Sequence, residues 1–324
     1  MKQLTIYLGS RCNLNCAYCH RIADDNEPKI SENLLDFVRG REDILIKFMG
    51  GEPTLYMEEI KKVTEAAPKA QYAIGTNGVH LENYLDFFRQ YGFLICISYD
   101  GRESSLRGFD PFTKLLDYPK IAVSATIYHG NTDLKRIIKN SAKKERIIGR
   151  SLSFFPHIAH HTSQENAAYA LTQEDADNYV SQYQEFIGAY MKERFQYGVR
   201  NARYEGMFQA LLRRFEHPFS FGETYCVNSS VKKCDAFGNL YTCLYIRDGR
   251  LAHENWQDTQ QQLLLRKFPK CRECEVYGMC GGACIKSLSH DIECSVYRRL
   301  YAWFKKEYPK WRDAHGDKAY IRIS

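Results

Sequence analysis

Three cysteines near the start of the chain have the spacing of a cluster-binding loop. Cys12, Cys16 and Cys19 follow a short apolar run that is typical of a buried β-strand. Thiolates are the usual ligands of iron–sulfur clusters, and closely spaced cysteines can converge on one cluster. Three local thiolates leave one iron of a four-iron cluster open, as a site that binds substrate requires. The spacing therefore predicts a [4Fe–4S] site with one open iron. The alternative is a structural zinc site with a distant fourth ligand.

Eight more cysteines lie between positions 226 and 294, in a segment with few apolar runs. Such a segment cannot build much of a hydrophobic core, so bound metal clusters are expected to organise it. In a reducing compartment, cysteines at this density bind metal more often than they form disulfides. A pair of zinc knuckles that bind nucleic acid is the alternative. The twelfth cysteine, Cys96, lies inside an apolar run and is predicted to pack as a small hydrophobic residue.

A glycine-rich string, GGEP, follows the second strand-like run. Gly50 and Gly51 lack Cβ atoms, so their backbone can approach a ligand closely. Glu52 can accept a charge-assisted hydrogen bond from an ammonium group. The string is compatible with a ligand that carries an ammonium group, whereas alone it indicates only a turn before a helix.

The third and fourth strand-like runs also end in short polar residues. Asn77 follows the third run, and Ser98 and Asp100 follow the fourth. These groups suit the hydroxyl and carboxylate groups of a ligand, although such residues also favour turns by themselves. Ser124 and Thr126 in the fifth run are predicted to share one face of their strand, which the pattern does not identify as inward or outward.

The elements that must position these residues alternate between strands and helices. Strand-like runs lie at 4–9, 44–49, 72–75, 93–98, 121–127 and 151–155. Helix-compatible segments separate them, with Ser31 as a possible N-cap, and a capping box formed by Thr172 and Asp175 begins a long helix that ends near Tyr197. Another amphipathic helix is predicted at 295–306. Six strand–helix units predict an α/β fold with a parallel sheet that curves into a partial barrel. Chemistry at the carboxyl ends of such strands is typical of a barrel enzyme's active face.

Composition places the chain among ordinary globular proteins. Hydrophobic residues make up 44% and charged residues 26%, and the net charge of +6 is a mild bias that solvated helix faces explain. The start of the chain lacks a signal-peptide pattern, and no run approaches the roughly 20 apolar residues of a membrane span. A cytoplasmic protein with no membrane partner is expected.

The first motif, CNLNCAYC, resembles the signature of the radical S-adenosylmethionine (SAM) superfamily, with aromatic Tyr18 before the third cysteine. This resemblance implies a partial (β/α)6 TIM-like barrel and a SAM-binding [4Fe–4S] cluster. In that family the methionine amino and carboxylate groups of SAM chelate the open iron, and reduction produces a 5′-deoxyadenosyl radical. The protein positions the cofactor and shields the radical. The resemblance implies these cofactor-binding residues: Tyr18, Gly50, Gly51, Glu52, Pro53, Asn77, Ser98, Asp100 and Ser124.

The later cysteines resemble the SPASM extension of peptide-modifying radical SAM enzymes over residues 222–300. The resemblance implies a small cysteine-rich iron–sulfur domain with two auxiliary [4Fe–4S] clusters. It assigns one cluster to Cys271, Cys274, Cys280 and Cys294. It assigns the other to Cys226, Cys243 and Cys284, with Cys234 completing the ligation. Four thiolates on this cluster would favour electron transfer or structure over direct substrate coordination. The expected domains are the barrel at 1–200, a bridging helix at 201–221, and the SPASM domain with a C-terminal helix at 222–324.

Enzymes with this extension mostly modify peptides, which predicts a maturase acting on a ribosomally made precursor peptide. A thioether or carbon–carbon cross-link is the leading hypothesis. Formylglycine formation in sulfatases is an alternative, although Leu244 follows Cys243 where that subfamily has an aspartate; Asp235 and Asp248 are nearby but do not match. Epimerisation is another, with Cys96 as the one cysteine that has no assigned cluster. A non-catalytic iron–sulfur electron carrier is the hypothesis from a different class.

The remaining expectations concern partners and single residues. A flavodoxin- or ferredoxin-type reductant is expected, and a separate leader-binding protein is possible, because strand one begins too early for a leader-binding domain. Nucleic acid is not expected as a partner. No acid or base is assigned, although His157, His160 and His161 follow the sixth strand on the active face. His20 is expected near the cluster, and Arg102 or Arg107 near the cofactor carboxylate.

Overall fold

The computed structural model describes residues 2–19, 28–101, 111–115, 117–243, 256–282, 284–288 and 290–315. Seven parallel strands in this part of the chain form one sheet, in the order β6-β5-β4-β3-β2-β1-β7. The strands are β1 (Gln3–Tyr7), β2 (Leu45–Met49), β3 (Gln71–Thr76), β4 (Leu94–Ser98), β5 (Ile121–Ile127), β6 (Ser153–Ile158) and β7 (Val231–Asp235). The fold is therefore the predicted parallel α/β architecture.

Nine α-helices accompany the strands in the described ranges. They are α1 (Glu32–Val38), α2 (Met57–Ala66), α3 (Leu85–Gln90), α4 (Leu134–Ile148), α5 (Gln173–Tyr197), α6 (Ala202–Glu216), α7 (Trp256–Lys267), α8 (Tyr277–Cys280) and α9 (Asp291–His315). The predicted caps are confirmed: Leu34 N–H donates to Ser31 at the start of α1, and Thr172 and Asp175 form a capping box on α5. The two longest helices, α5 and α9, pack against each other.

The seventh strand was not predicted. It comes from the cysteine-rich segment and pairs with β1, so this segment is part of the barrel sheet. Its sequence, VKKCD, lacks the apolar run that identified the other six strands. The reason is its composition: Lys232, Lys233 and Asp235 are charged, and Cys234 is the one buried residue of the strand.

Side chains alternate between the two faces of the sheet. Ile6, Phe48 and Ile97 are fully buried against the helices on the outer face. Residues of opposite parity, such as Lys47 and His157, line an internal cavity. The inner face therefore carries the polar groups that the strands present for chemistry.

A second, smaller hydrophobic cluster lies in the cysteine-rich segment. Its core residues include Phe219, Leu264 and Phe268, packed with Cys243 and Cys271. The thiols thus contribute to the small core that this segment builds. Among the described helices, none is both long and apolar enough to span a bilayer.

Candidate active site

The GGEP loop packs directly on the cysteine loop. Gly51 N–H donates to the Gly9 carbonyl at 2.9 Å, and Glu52 N–H donates to the Arg11 carbonyl at 2.8 Å. A Cβ on Gly51 would lie 2.2 Å from the Arg11 oxygen, and one on Gly50 would lie 2.6 Å from the Gly9 oxygen. The two glycines therefore allow close approach between two backbones of the protein. Their predicted approach to a ligand stays a prediction.

The Glu52 carboxylate joins the ends of β2 and β3. Its Oε1 accepts hydrogen bonds from Thr54 N–H, Thr54 Oγ1 and Thr76 Oγ1, and its Oε2 accepts one from Asn77 N–H at 2.7 Å. The residue is 1% exposed, and Pro53 beside it is buried at the start of a 3₁₀ helix. In this structure Glu52 fixes the loop geometry, while its predicted contact with an ammonium group stays a prediction.

Asn77 brings the third motif to the cysteine loop. Its side-chain amide donates to Asn13 Oδ1 at 2.8 Å and to the Cys12 sulfur at 3.8 Å. Its Oδ1 accepts a hydrogen bond from Val79 N–H. The residue therefore orients one of the three predicted cluster ligands.

The fourth motif holds the aromatic residue of the cysteine loop. Tyr18 donates its hydroxyl hydrogen to Asp100 Oδ2 at 2.7 Å, and Thr126 N–H donates to Asp100 Oδ1 at 3.0 Å. The Tyr18 ring stacks on Tyr128, with ring centres 4.7 Å apart. Asp100 is thus a buried carboxylate that anchors the cysteine loop to the ends of β4 and β5. Ser98 lies in the same motif.

Residues Ser98 and Ser124 are direct neighbours across β4 and β5. Ser124 is in turn paired with Phe155, which lines the internal cavity, so all three share the inner face. Cys96 has the same parity as Ser98 and also faces inward, and its packing as a small hydrophobic residue stays a prediction. Burial raises the pKa of the Cys96 thiol, while nearby Lys47 opposes this shift.

The later cysteines fall into two groups. Cys280 interacts electrostatically with Cys294, Cys271 and Cys274, and Cys284 interacts with Cys226 and Cys243. These are the two sets that the resemblance implied, except for Cys234. That residue is 1% exposed in the main hydrophobic core, where Asp235 is its electrostatic neighbour. The structure therefore brings seven of the eight cysteines together and leaves Cys234 apart.

The donor chemistry of both groups suits iron–sulfur clusters. No disulfide joins any of the twelve cysteines, all of which lie in the described ranges. Burial, reinforced by neighbouring thiols, raises the pKa of Cys284 to about 12 and that of Cys294 to about 11. Buried thiolates therefore need the positive charge of bound iron. No three His, Cys, Asp or Glu side chains of the described residues converge on a single metal ion. A four-iron cluster does not need that convergence, because each thiolate binds a different iron.

A cavity of about 470 Å³ connects the barrel interior to the second cysteine group. Lys47 and His157 line it from the strands, Cys226, Cys243 and Cys284 line it from the cysteine-rich segment, and much of the remaining wall is apolar or aromatic. The inner face of the barrel and this cysteine group therefore border the same cavity.

Two of the three predicted histidines line this cavity. The His157 side chain is exposed to the cavity. Desolvation, together with the charges of Lys47 and His160, lowers the pKa of His157 to about 4. The His160 ring pairs with Glu293 at 3.2 Å. His161 instead contacts the cysteine-rich segment through its backbone carbonyl, which accepts from Leu288 N–H. His20, Arg102, Arg107, Leu244 and Asp248 lie outside the described residues.

Sequence reasoning missed Lys47 and Lys233. Lys47 is the one charged residue of an otherwise apolar strand, LIKFM, and this break in the pattern could have identified an inward-facing polar position. Lys233 interacts electrostatically with Cys226, Cys243 and Cys284. The signal for Lys233 is weaker, because its strand lacks the apolar run that makes such a break visible.

Comparisons with known proteins agree with this geometry. Residues 6–148 match the model of the radical SAM superfamily. The cysteine-type anaerobic sulfatase-maturating enzyme of Clostridium novyi is 23% identical over 88% of both chains. The solved structure of native anSMEcpe with bound AdoMet has a TM-score of 0.68 at 19% identity, covering 98% of this chain and 100% of the other. Streptococcus suis SuiB bound to S-adenosylmethionine has a TM-score of 0.56 at 18% identity, covering 90% and 74%.

The chain thus combines a parallel α/β sheet, a cysteine loop after the first strand and two further cysteine groups. It contains a radical SAM domain over residues 6–148.

Proposed function

We propose that the chain is a radical SAM peptide maturase that forms a thioether or carbon–carbon cross-link in a ribosomally made precursor peptide. One observation carries the proposal: the cavity that begins at the inner face of the barrel ends at the thiols of Cys226, Cys243 and Cys284. A residue bound in this space would border the inner face of the barrel on one side and a predicted auxiliary cluster on the other. The family relatives, which include a sulfatase-maturating enzyme, support a peptide or protein substrate.

The cysteine loop would hold the SAM-binding cluster through Cys12, Cys16 and Cys19. Asn77 supports the loop at Cys12, and Asp100 supports it through Tyr18. Four thiols, those of Cys271, Cys274, Cys280 and Cys294, would hold one auxiliary cluster. When bound, the cofactor and its clusters supply hydrogen-atom abstraction from a carbon and accept the electron released as the new bond forms.

The chain's own residues shield and position the substrate. Tyr179, Tyr183 and Tyr297 line the cavity, and burial raises the pKa of each, so these phenols stay neutral. The largely apolar wall reduces contact with water and would protect a reactive carbon centre from side reactions. The neutral imidazole of His157 faces the same space and can accept the proton released when a substrate thiol forms a carbon–sulfur bond.

Mass spectrometry of the peptide tests this function. The anaerobically reconstituted enzyme is incubated with SAM, a reductant and the peptide encoded by a neighbouring small reading frame. Loss of two hydrogens with one free thiol consumed supports a thioether, and the same loss with the thiol intact supports a carbon–carbon link. Formation of 5′-deoxyadenosine with no change in peptide mass would contradict cross-linking.

Formylglycine formation is the alternative that the comparisons favour most, because the relative with 88% coverage is a sulfatase-maturating enzyme. A peptide bearing the sulfatase cysteine discriminates the two. Formylglycine replaces the thiol with an aldehyde, which hydrazide reagents capture, whereas neither cross-link reacts with them.

Epimerisation is favoured by one structural observation, the inward orientation of Cys96. Its raised pKa keeps the thiol protonated, as a hydrogen donor must be. Reaction in D2O distinguishes this function: epimerisation incorporates one deuterium at an α-carbon without cross-linking, and Cys96→Ala would abolish that incorporation. A separate leader-binding protein and a flavodoxin- or ferredoxin-type reductant are proposed partners of the same reaction.

A further inference from the structure

Lys47 occupies an inner-face position on the strand that leads to the GGEP loop. Its sequence neighbours Ile46 and Phe48 are fully buried on the outer face, whereas Lys47 is half-buried and lines the cavity. Its partners across the sheet are Thr5 of β1 and Ala73 of β3, neither of which carries a charge. The Lys47 side chain therefore reaches the cavity without a charged partner at its position on the two adjacent strands.

The described part of the cavity wall offers no negative charge to this ammonium group. Among the described lining residues, Lys47 is the one Lys or Arg, and none is Asp or Glu. Lys47 also takes part in no ion pair between residues that the structure describes. Its charge acts on Cys96 and His157. Desolvation raises the pKa of the Cys96 thiol and lowers that of the His157 imidazole, so both groups stay neutral and neither compensates the ammonium.

A second lysine in the same row of the sheet shows what Lys47 lacks. Thr5 is paired with both Lys233 and Lys47, so the two lysine side chains lie on the same face. Lys233 interacts with three thiols of the second cysteine group, which supply negative charge when they are deprotonated. Burial of an ammonium group is costly unless an anion accompanies it. Within the described ranges Lys233 has such groups beside it, and Lys47 does not.

We propose that Lys47 binds a side-chain carboxylate of the substrate, so that the peptide segment that enters the cavity carries an Asp or Glu residue. This inference deepens the proposed function and rests on it for a peptide as the substrate. Much of the wall is apolar or aromatic, so an ion pair there is screened less than one at the surface. An ammonium–carboxylate pair also forms charge-assisted hydrogen bonds. An amide side chain at the same place would leave the ammonium without a counter-ion, which makes the site selective for the acid.

SAM also carries a carboxylate, and the position of Lys47 along β2 separates the two sources. Lys47 lies three residues before Gly50, which corresponds to about 10 Å along an extended strand. The predicted cofactor-binding residues Asn77 and Asp100 instead follow the ends of β3 and β4. Lys47 is therefore deeper in the barrel than the strand ends that are predicted to hold the cofactor, which favours the substrate as the source of the carboxylate.

Binding of small model amides tests the site without turnover. The probes are the N-acetyl N-methylamides of aspartate, glutamate, asparagine and glutamine, and calorimetry measures the Kd of each for the anaerobically reconstituted chain. At least one acid should bind about tenfold more tightly than its own amide. Lys47→Met should remove this preference, whereas Lys69→Met, which breaks an exposed ion pair with Glu42, should keep it. Equal affinities of each acid and its amide, or no binding of any probe, would overturn the proposal.

Two further results separate this inference from its neighbours. The Kd of SAM, measured by equilibrium dialysis, should be the same for the unsubstituted chain and for Lys47→Met. Weaker SAM binding by Lys47→Met together with an unchanged preference for the acid probes would refute the proposal and assign Lys47 to the cofactor. Selective binding of an acid probe together with an unmodified precursor peptide would leave the carboxylate site intact and contradict the cross-linking function.

Discussion

Replacement of Gly51 by alanine tests the contact between the GGEP loop and the cysteine loop. The new Cβ would lie 2.2 Å from the Arg11 oxygen and 2.4 Å from the Ser10 oxygen, whereas ordinary contact begins at 3.4 Å. These atoms belong to the backbone and cannot rotate away, so the loops must separate by roughly 1 Å. That movement breaks the hydrogen bonds of Gly51 N–H with Gly9 and of Glu52 N–H with Arg11.

Two effects set the size of the loss. Overpacking costs about 1–3 kcal/mol. Each broken backbone hydrogen bond adds about 0.5–1.5 kcal/mol. The expected destabilisation is therefore about 2–6 kcal/mol. With a urea m-value of about 3 kcal/mol/M, a loss of about 3 kcal/mol lowers the midpoint by about 1 M.

Urea unfolding of the cluster-free chain, followed by circular dichroism under reducing conditions, measures this loss. Gly75→Ala is the matched control, since a Cβ at Gly75 meets nothing within 4 Å. This control should be neutral, or more stable by about 0.4–1 kcal/mol through reduced entropy of the unfolded chain. Equal midpoints for Gly51→Ala and Gly75→Ala would refute the inference that the two loops are in backbone contact.

Three further predictions use the same structure. Tyr18→Phe removes the donor to the buried Asp100 carboxylate and should cost about 1.5–3 kcal/mol, against about 1 kcal/mol for Tyr7→Phe, which loses a neutral bond to Ser10; thermal unfolding compares them. The pKa of His157 is lower in the folded chain than in the unfolded chain, so the unfolded chain binds a proton first as pH falls. The stability that neutral His157 contributes should therefore be fully present above about pH 6.5 and should be lost as pH falls toward about 4. His157→Asn should flatten that part of the pH–stability curve, and an unchanged curve would contradict the lowered pKa. Cys271→Ala should reduce the iron content from about twelve to about eight per chain, whereas Cys96→Ala should not change it.

The strands and their polar ends could be predicted from the sequence because each signal is local. A run such as ILIKFM followed by GGEP contains both the buried strand and the turn that ends it. Parallel strands bring such ends to one edge of the sheet, so the proximity of Asn77 to Cys12 also follows. The partners of Glu52 and Asp100 could not be predicted, because they depend on loop conformations that only the packed sheet determines.

The position of Cys234 shows why spacing is a weaker guide than register. Along the sequence, Cys234 lies between Cys226 and Cys243, and nothing in that spacing separates it from them. On a strand, however, neighbouring residues point in opposite directions, and Lys233 already occupies the face toward Cys226. Whether Cys234 can join the group of Cys226, Cys243 and Cys284 therefore depends on the direction in which one strand residue points.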